Sequence, residues 1–373
     1  MKFSCEKYLL AQAIATASRC AASKSPMPAL EGLLVDAGDD EVIITGYDLK
    51  KGVYTSFPAD VAEAGAVVLD CRLFGDIVRS LPDGVVTVDM KSGLVTKITC
   101  GAADFSIMGT SREDYPELPA VDRQKAISIP QNILRDMISR TIFAVSDNEA
   151  RPVYTGELFE AAPDCLTVVA VDGYRLAIRR ERLPIPGEAG CSFIVPGSAL
   201  ADVEKLCGDT DEPAEITVGS KHVSFAIGNT VLIARRLEGE FLNYEKSLPK
   251  TFLTVAAVNT ADLTRVVSRV ALMIDAKVKN PLHLRVEDGF FDLRCRTGIG
   301  SAVDQCQADV TGDTGLLIGF NDRYLLDALK AAPSEVIRVA LGNATSPALI
   351  LPMDEADDSF TYMILPVRLR GDA

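Results

Sequence analysis

Two histidines, His222 and His283, are all that 373 residues contain. So small a supply leaves little for imidazole acid–base chemistry or for a zinc site. The nine cysteines do not make up the difference. Cys5, Cys20, Cys71, Cys100, Cys165, Cys191, Cys207, Cys295 and Cys306 are scattered, odd in number and never spaced C-x-x-C, which reads as free thiols in a reducing compartment. No run of eighteen apolar residues is present to span a bilayer, and MKFSCEKYLL has an acidic residue and no signal-peptide core. The expectation is a soluble cytoplasmic protein. Nucleotide motifs are missing too. There is no G-x-x-x-x-G-K-[ST], and GIGSAV (residues 298–303) lacks the third glycine of a dinucleotide loop. Ser247 to Lys250 fits S-x-x-K, but Pro249 spoils the helical placement that a serine–lysine hydrolase needs.

What is present is one pattern written three times. A short strand and an amphipathic helical stretch are followed by strands with acidic or Gly turns, then a second strand–helix and closing strands. The order begins at Met1, restarts after the Pro- and charge-rich 110–124, and returns after 238–251. Leu33, Leu158 and Leu282 mark the same place in each copy, a period of roughly 120 to 125 residues. Domains of 1–122, 123–247 and 248–373 follow, in an α+β fold with two helices and antiparallel sheets per domain. Ile133, Leu134, Met137, Ile138 and Ile142 fall at helical spacing, and Asn259 or Thr260 is placed to cap another helix.

The net charge of -14 argues against a protein that holds nucleic acid by charge alone, because that requires a basic surface to displace counterions. The distribution says more than the sum. The six helical stretches and their turns carry 14 Lys+Arg against 11 Asp+Glu, and the rest carries 24 against 41. Solvated helix faces with paired charges are one account of this. The other sets Arg19, Lys24, Arg72, Arg79, Arg135, Arg140, Lys205, Arg265, Arg269, Lys277, Lys279, Arg323 and Lys330 around a channel that guides a duplex through its phosphates, without sequence preference.

Near the middle of the chain VDGYRLA (residues 171–177) sits between LTVVAV and LAIRR. Asp172-Gly173 is a tight-turn pair, because Gly accepts positive φ and Asp bonds its own backbone. With PMPALEGLL, GYDL, FLNYEKSLP and the terminal LPVRL, this chain resembles the bacterial DNA polymerase III β-subunit family over essentially its whole length. The resemblance implies a head-to-tail homodimeric ring with helices inward and sheets outward, around duplex DNA. It implies no catalysis, no cofactor and no metal, and it adds Asn148 and Arg151 to the DNA-facing set. Its partners would be the DNA polymerase III catalytic subunit, a clamp loader, and repair and translesion polymerases. These would dock a short peptide in a groove walled by Tyr154, Val171, Gly173, Tyr174, Arg175, Leu176, Leu242, Lys246, Ser247, Pro347, Met363, Ile364, Leu365, Pro366, Val367 and Arg368. Phe105 and Ile107 of one chain would meet Leu272 and Met273 of the other.

Tyr174, Leu242 and Pro347 depart from the family's usual His, Pro and small polar residue, which bears on peptide preference. Pro366 makes a central strand an unexpected place for the tail, leaving it free to lie over the groove. Two rival classes stay open on sequence. One is an enzyme using the turn carboxylates Asp48 and Asp172. The other is an acidic β-rich adaptor that binds peptides without encircling DNA.

Overall fold

The computed structural model describes residues 1–184, 190–274 and 280–369. Repeat one runs β1 (Lys2–Glu6), α1 (Lys7–Ala17), β2 (Gly32–Gly38), β3 (Glu41–Tyr47), β4 (Lys51–Pro58), β5 (Asp60–Glu63), β6 (Gly65–Asp70), α2 (Cys71–Ser80), β7 (Val85–Met90), β8 (Val95–Cys100) and β9 (Ala103–Met108). Repeat two runs β10 (Lys125–Pro130), α3 (Gln131–Ser139), β11 (Gly156–Ala162), β12 (Cys165–Val171), β13 (Arg175–Glu181), β14 (Cys191–Pro196), α4 (Gly197–Leu206), β15 (Pro213–Val218), β16 (His222–Ile227) and β17 (Thr230–Arg235). Repeat three runs β18 (Thr254–Asn259), α5 (Thr260–Ala271), β19 (Leu282–Glu287), β20 (Phe290–Thr297), β21 (Gly300–Gly312), β22 (Leu317–Phe320), α6 (Asp322–Ala331), β23 (Val336–Leu341), β24 (Ala348–Pro352) and β25 (Phe360–Ile364).

Three of the helices start where short polar side chains take up free amide groups. Asp70, Asn259 and Asn321 accept from the first turns of α2, α5 and α6. Each helix then buries an i, i+3, i+4 stripe, as Phe74, Ile77 and Val78 do in α2. The helix whose apolar spacing reaches Ile142 is shorter than that spacing suggests. It ends at Ser139, and Ile142 belongs to a separate 3-10 turn (Ile142–Ala144). Thr141 intervenes there, its hydroxyl 2.8 Å from the Met137 carbonyl and 3.0 Å from the carboxylate of the buried Glu157.

Glu157 also corrects the repeat alignment. β2 pairs Leu33 with Leu69, and β19 pairs Leu282 with Phe320, each just before a helix cap. The matching pair in repeat two is Glu157 with Val195, so Glu157 stands where Leu33 and Leu282 do. Leu158 points to the other face of its sheet, because strand side chains alternate.

Strands of different repeats join into common sheets. β17 pairs with β4 in an eight-stranded sheet of order β10-β15-β16-β17-β4-β3-β2-β6. β25 pairs with β13 in a twelve-stranded sheet of order β14-β11-β12-β13-β25-β24-β23-β18-β21-β20-β19-β22. A third sheet, β5-β1-β7-β8-β9, ends at β9. Accordingly the chain packs as two compact units that divide repeat two between them. Unit one holds residues 1–135 and 198–236, and unit two holds 136–184, 190–197, 237–274 and 280–369. After its last strand each repeat returns to an edge of its own first half, pairing Thr110 with Val68, Leu237 with Ile194, and Val367 with Gly319. The tail is thus the third copy of the inter-repeat linker.

Candidate functional site

In unit two, the 172–175 turn is held by its own carboxylate. Asp172 Oδ1 accepts from the amides of Tyr174 (2.8 Å) and Arg175 (3.0 Å), while Gly173 takes φ 93°. Asp172 Oδ2 accepts from Arg175 Nε at 2.8 Å. The guanidinium continues to Asp327 on α6 at 2.6 Å and lies 4.5 Å from the Tyr324 ring centroid and 5.4 Å from that of Phe143. Tyr174 stacks on Tyr324 with centroids 6.1 Å apart. Arg175 therefore fixes the turn to α6 rather than pointing at solvent. Arg175→Met is expected to cost about 1–2 kcal/mol, since it removes charge-assisted bonds to the poorly exposed Asp172 and the more exposed Asp327, and to lower the urea midpoint.

Beside this turn lies an apolar cluster on the face opposite the helix-packed core. Leu158, Val169, Val171, Leu176, Ile178, Leu349 and Met363 form it, with Tyr154, Phe241 and Leu248 half-buried at its margin. Leu176 lies across the β13–β25 pair from Met363, which supplies the floor. Tyr154 meets Phe241 edge to face at 5.6 Å. The 241–248 linker is anchored by Tyr244, which donates to Glu160 at 2.5 Å. Burial, and then that carboxylate, push the Tyr244 phenol well above its ordinary range and keep it a donor at neutral pH. The result is an aliphatic and aromatic cluster bordered by half-buried aromatics, a composition suited to the side chains of a short extended segment.

Several expected walls are placed differently. Ile364 faces the helix-packed core, because it alternates with Met363 along β25. The tail does not begin free. β25 is a central strand, flanked by β13 and β24, and Pro366 falls two residues beyond its end, where no ladder amide is needed. Leu365 then donates to the Tyr174 carbonyl and Val367 to that of Gly319, both at 2.8 Å. Gly173, Tyr174, Leu242, Lys246 and Arg368 are exposed, and Ser247, Pro347, Leu365, Pro366 and Val367 are half-buried. Sequence reasoning missed Phe241, Leu349 and Tyr324. Tyr324 and Asp327 stand three apart on α6, a helical pair that a capped helix opposite the turn would have suggested.

Family models for the DNA polymerase III beta subunit match the whole chain in order: the N-terminal domain at residues 1–119, the central domain at 128–243 and the C-terminal domain at 245–368. The beta sliding clamp of Bacillus subtilis (strain 168) is 30% identical over 378 residues, covering 99% of this chain and 100% of the relative. The chain belongs to the DNA polymerase III beta subunit family, the bacterial sliding clamps. A crystal structure of the sliding clamp from Bacillus subtilis superposes with a TM-score of 0.94 at 29% identity, covering 99% of this chain and 100% of that one. A Pseudomonas aeruginosa clamp, solved bound to griselimycin, superposes at 0.93 and 26% identity, covering 99% and 100%. The family is non-catalytic, and the clamp turns explain the two carboxylates that had suggested an enzyme. Asp48 holds the amides of Lys50 and Lys51 as Asp172 holds those of Tyr174 and Arg175. GIGSAV opens the third copy of this turn, with Thr297 in the aspartate's place.

The basic residues of the clamp's helices divide into two groups. Arg19, Arg72, Arg79, Arg140, Arg265 and Arg269 are paired with nearby carboxylates. Arg140 is further committed, donating to the Ala331 carbonyl at 2.9 Å, so its charge is spent inside unit two. Lys24, Arg135, Arg151, Lys205, Arg323 and Lys330 are exposed and form no ion pair with a described residue. Asn148 is exposed and uses its side chain to hold the Ala150 amide. Lys277 and Lys279 lie outside the described residues. Phe105 on the edge strand β9 and Leu272 at the end of α5 are exposed, and Met273 is half-buried against its own core. Ile107, on the same face of β9 as Phe105, is buried in the core of unit one.

Proposed function

We propose that two copies of this chain close head to tail into a ring around duplex DNA, acting as the processivity factor of a cytoplasmic replication machinery. The groove of unit two tethers the peptides of DNA polymerase III, a clamp loader, and repair and translesion polymerases. Three domains, 1–122, 123–247 and 248–373, supply six helices for the inner face. The exposed, unpaired cations among them favour contact with phosphates over bases.

One observation carries the ring. Two of the three repeats end by pairing their last strand with a neighbour's first half-sheet, as β17 does with β4 and β25 with β13. Repeat one's last strand, β9, and residues 300–304 of β21 are the pair left over, each with one unfilled side among the described residues. At the position occupied by Leu232 in β17 and Tyr362 in β25, both 0% exposed, β9 carries Phe105 at 37%. Leu272 is 75% exposed and Val303 60%. An open edge flanked by apolar side chains calls for a partner, and a second copy brings the matching edge.

For the groove, two aliphatic or aromatic anchors at roughly 1.5 to 3 kcal/mol each, less the cost of association, give an affinity near micromolar, which lets partners exchange. Leu242→Glu alters an exposed linker residue and leaves the fold intact. It is expected to weaken binding of a labelled Gln-Leu-Ser-Leu-Phe peptide about tenfold or more, read by fluorescence anisotropy. Ending the chain after Ile364 keeps β25 whole and should weaken binding as well. Unchanged affinity in both chains would remove the groove from the peptide's path.

A further inference from the structure

The groove has a counterpart in unit one, crossed by the chain's own linker, which lines a cavity of about 550 Å³ there with Leu34, Ile43 and Thr45. Strand register defines it. Val171 opposes Leu176, and Leu176 opposes Met363. In unit one Tyr47 opposes Gly52, and Gly52 opposes Ile233. The turn preceding each strand is the same Asp-held turn, and Lys51 pairs with Asp202 on α4 as Arg175 pairs with Asp327 on α6. So Gly52 stands where Leu176 does, on the outward face beside a buried aromatic. The linker that follows each repeat also repeats itself, Tyr115 and Leu118 in one copy, Tyr244 and Leu248 in the other, both leucines preceding proline.

The difference lies at one residue. A side chain at Gly52 would put its Cβ 2.0 Å from Leu118 Cδ2, so Leu118 fills the space that Leu176 occupies in unit two. It packs there with Leu30, Tyr47 and Tyr115. The linker is tied over the site by Tyr115, which donates to the Thr45 carbonyl at 3.3 Å, and by the Arg112–Asp36 ion pair.

We propose that unit one contains a second peptide cleft on the plan of the groove, its anchor position beside Gly52 taken by Leu118 of the chain's own linker. The cleft takes a partner's leucine or phenylalanine at that position once Leu118 is removed, and Leu118 in place leaves each chain one groove with its anchor position free. This rests on the reading of unit two as a peptide groove, so two measurements are made on the full-length chain. In the first, the Gln-Leu-Ser-Leu-Phe peptide is titrated calorimetrically against the native chain and Leu118→Ala. The expected stoichiometry rises from one to two per chain, and one site in both overturns the proposal. In the second, no peptide is used. Gly52→Ala forces Leu118 out, and limited trypsin cleavage at Arg112 is expected to accelerate several-fold, as it is in Leu118→Ala. Equal cleavage rates in all three chains overturn the anchor role of Leu118. A native chain that binds no peptide overturns the groove reading instead, and the cleavage rates then decide whether Leu118 anchors the linker at all.

Discussion

Phe105→Asp is expected to yield monomers at micromolar concentration in sedimentation velocity, where the native chain sediments at twice the monomer mass. A head-to-tail ring of two copies contains the β9–β21 junction twice, so a single substitution acts at two places. Deleting a buried phenyl ring costs roughly 3–5 kcal/mol, and an aspartate left unpaired in that position adds desolvation. Doubled, the loss is at least about 6 kcal/mol, or roughly four orders of magnitude in the dimer constant. The folded monomer should survive, because Phe105 is already partly exposed in the isolated chain and the core of unit one closes through Ile107, Ile98 and Val88. Leu272→Asp attacks the same junction from the other side. A dimer that persists in both variants would mean that the two open edges meet something other than each other.

Much of this was legible in the amino-acid order, and the reasons for the rest are specific. The repeats, the helix caps and the 172–175 turn are local. A cap needs one polar side chain and a turn needs one Asp-Gly, and both sit beside the backbone that they satisfy. Glu157 was missed because a buried carboxylate breaks the apolar pattern that aligned Leu33 with Leu158, and only the strand register restores it. Strand partners lie even further from local reading. The pairing of β17 with β4 joins residues about 180 positions apart, and nothing in either strand names the other. That same non-locality hid the central place of β25, since a proline two residues on says where a ladder stops and not how many neighbours precede it. Arg140 was assigned to a channel on charge and spacing, whereas its fate depends on Asp136 and on the Ala331 carbonyl, which is distant in sequence.

The register of the two formed junctions fixes that of the third, and with it a test of enclosure. Gly52 opposes Ile233 and Leu176 opposes Met363, and the corresponding residues of β21 and β9 are Ser301 and Ser106. Directly opposed residues in an antiparallel pair lie about 4.5–5.5 Å apart at Cα, within disulfide range. The double variant Ser106→Cys with Ser301→Cys is therefore expected to close into a covalent ring on oxidation. Six of the nine native thiols are buried and the other three are half-buried, so they compete poorly. Sealed after mixing with circular duplex DNA, such a ring is expected to stay with the circle through gel filtration at about 1 M salt, where charges are screened beyond about 3 Å. One restriction cut should release it. Binding that rested on the exposed cations would behave in the opposite way, lost from circle and linear duplex alike as salt rises. Retention on linear DNA at high salt would point to a grip on the duplex, and loss from the intact circle would show that the closed ring does not enclose it.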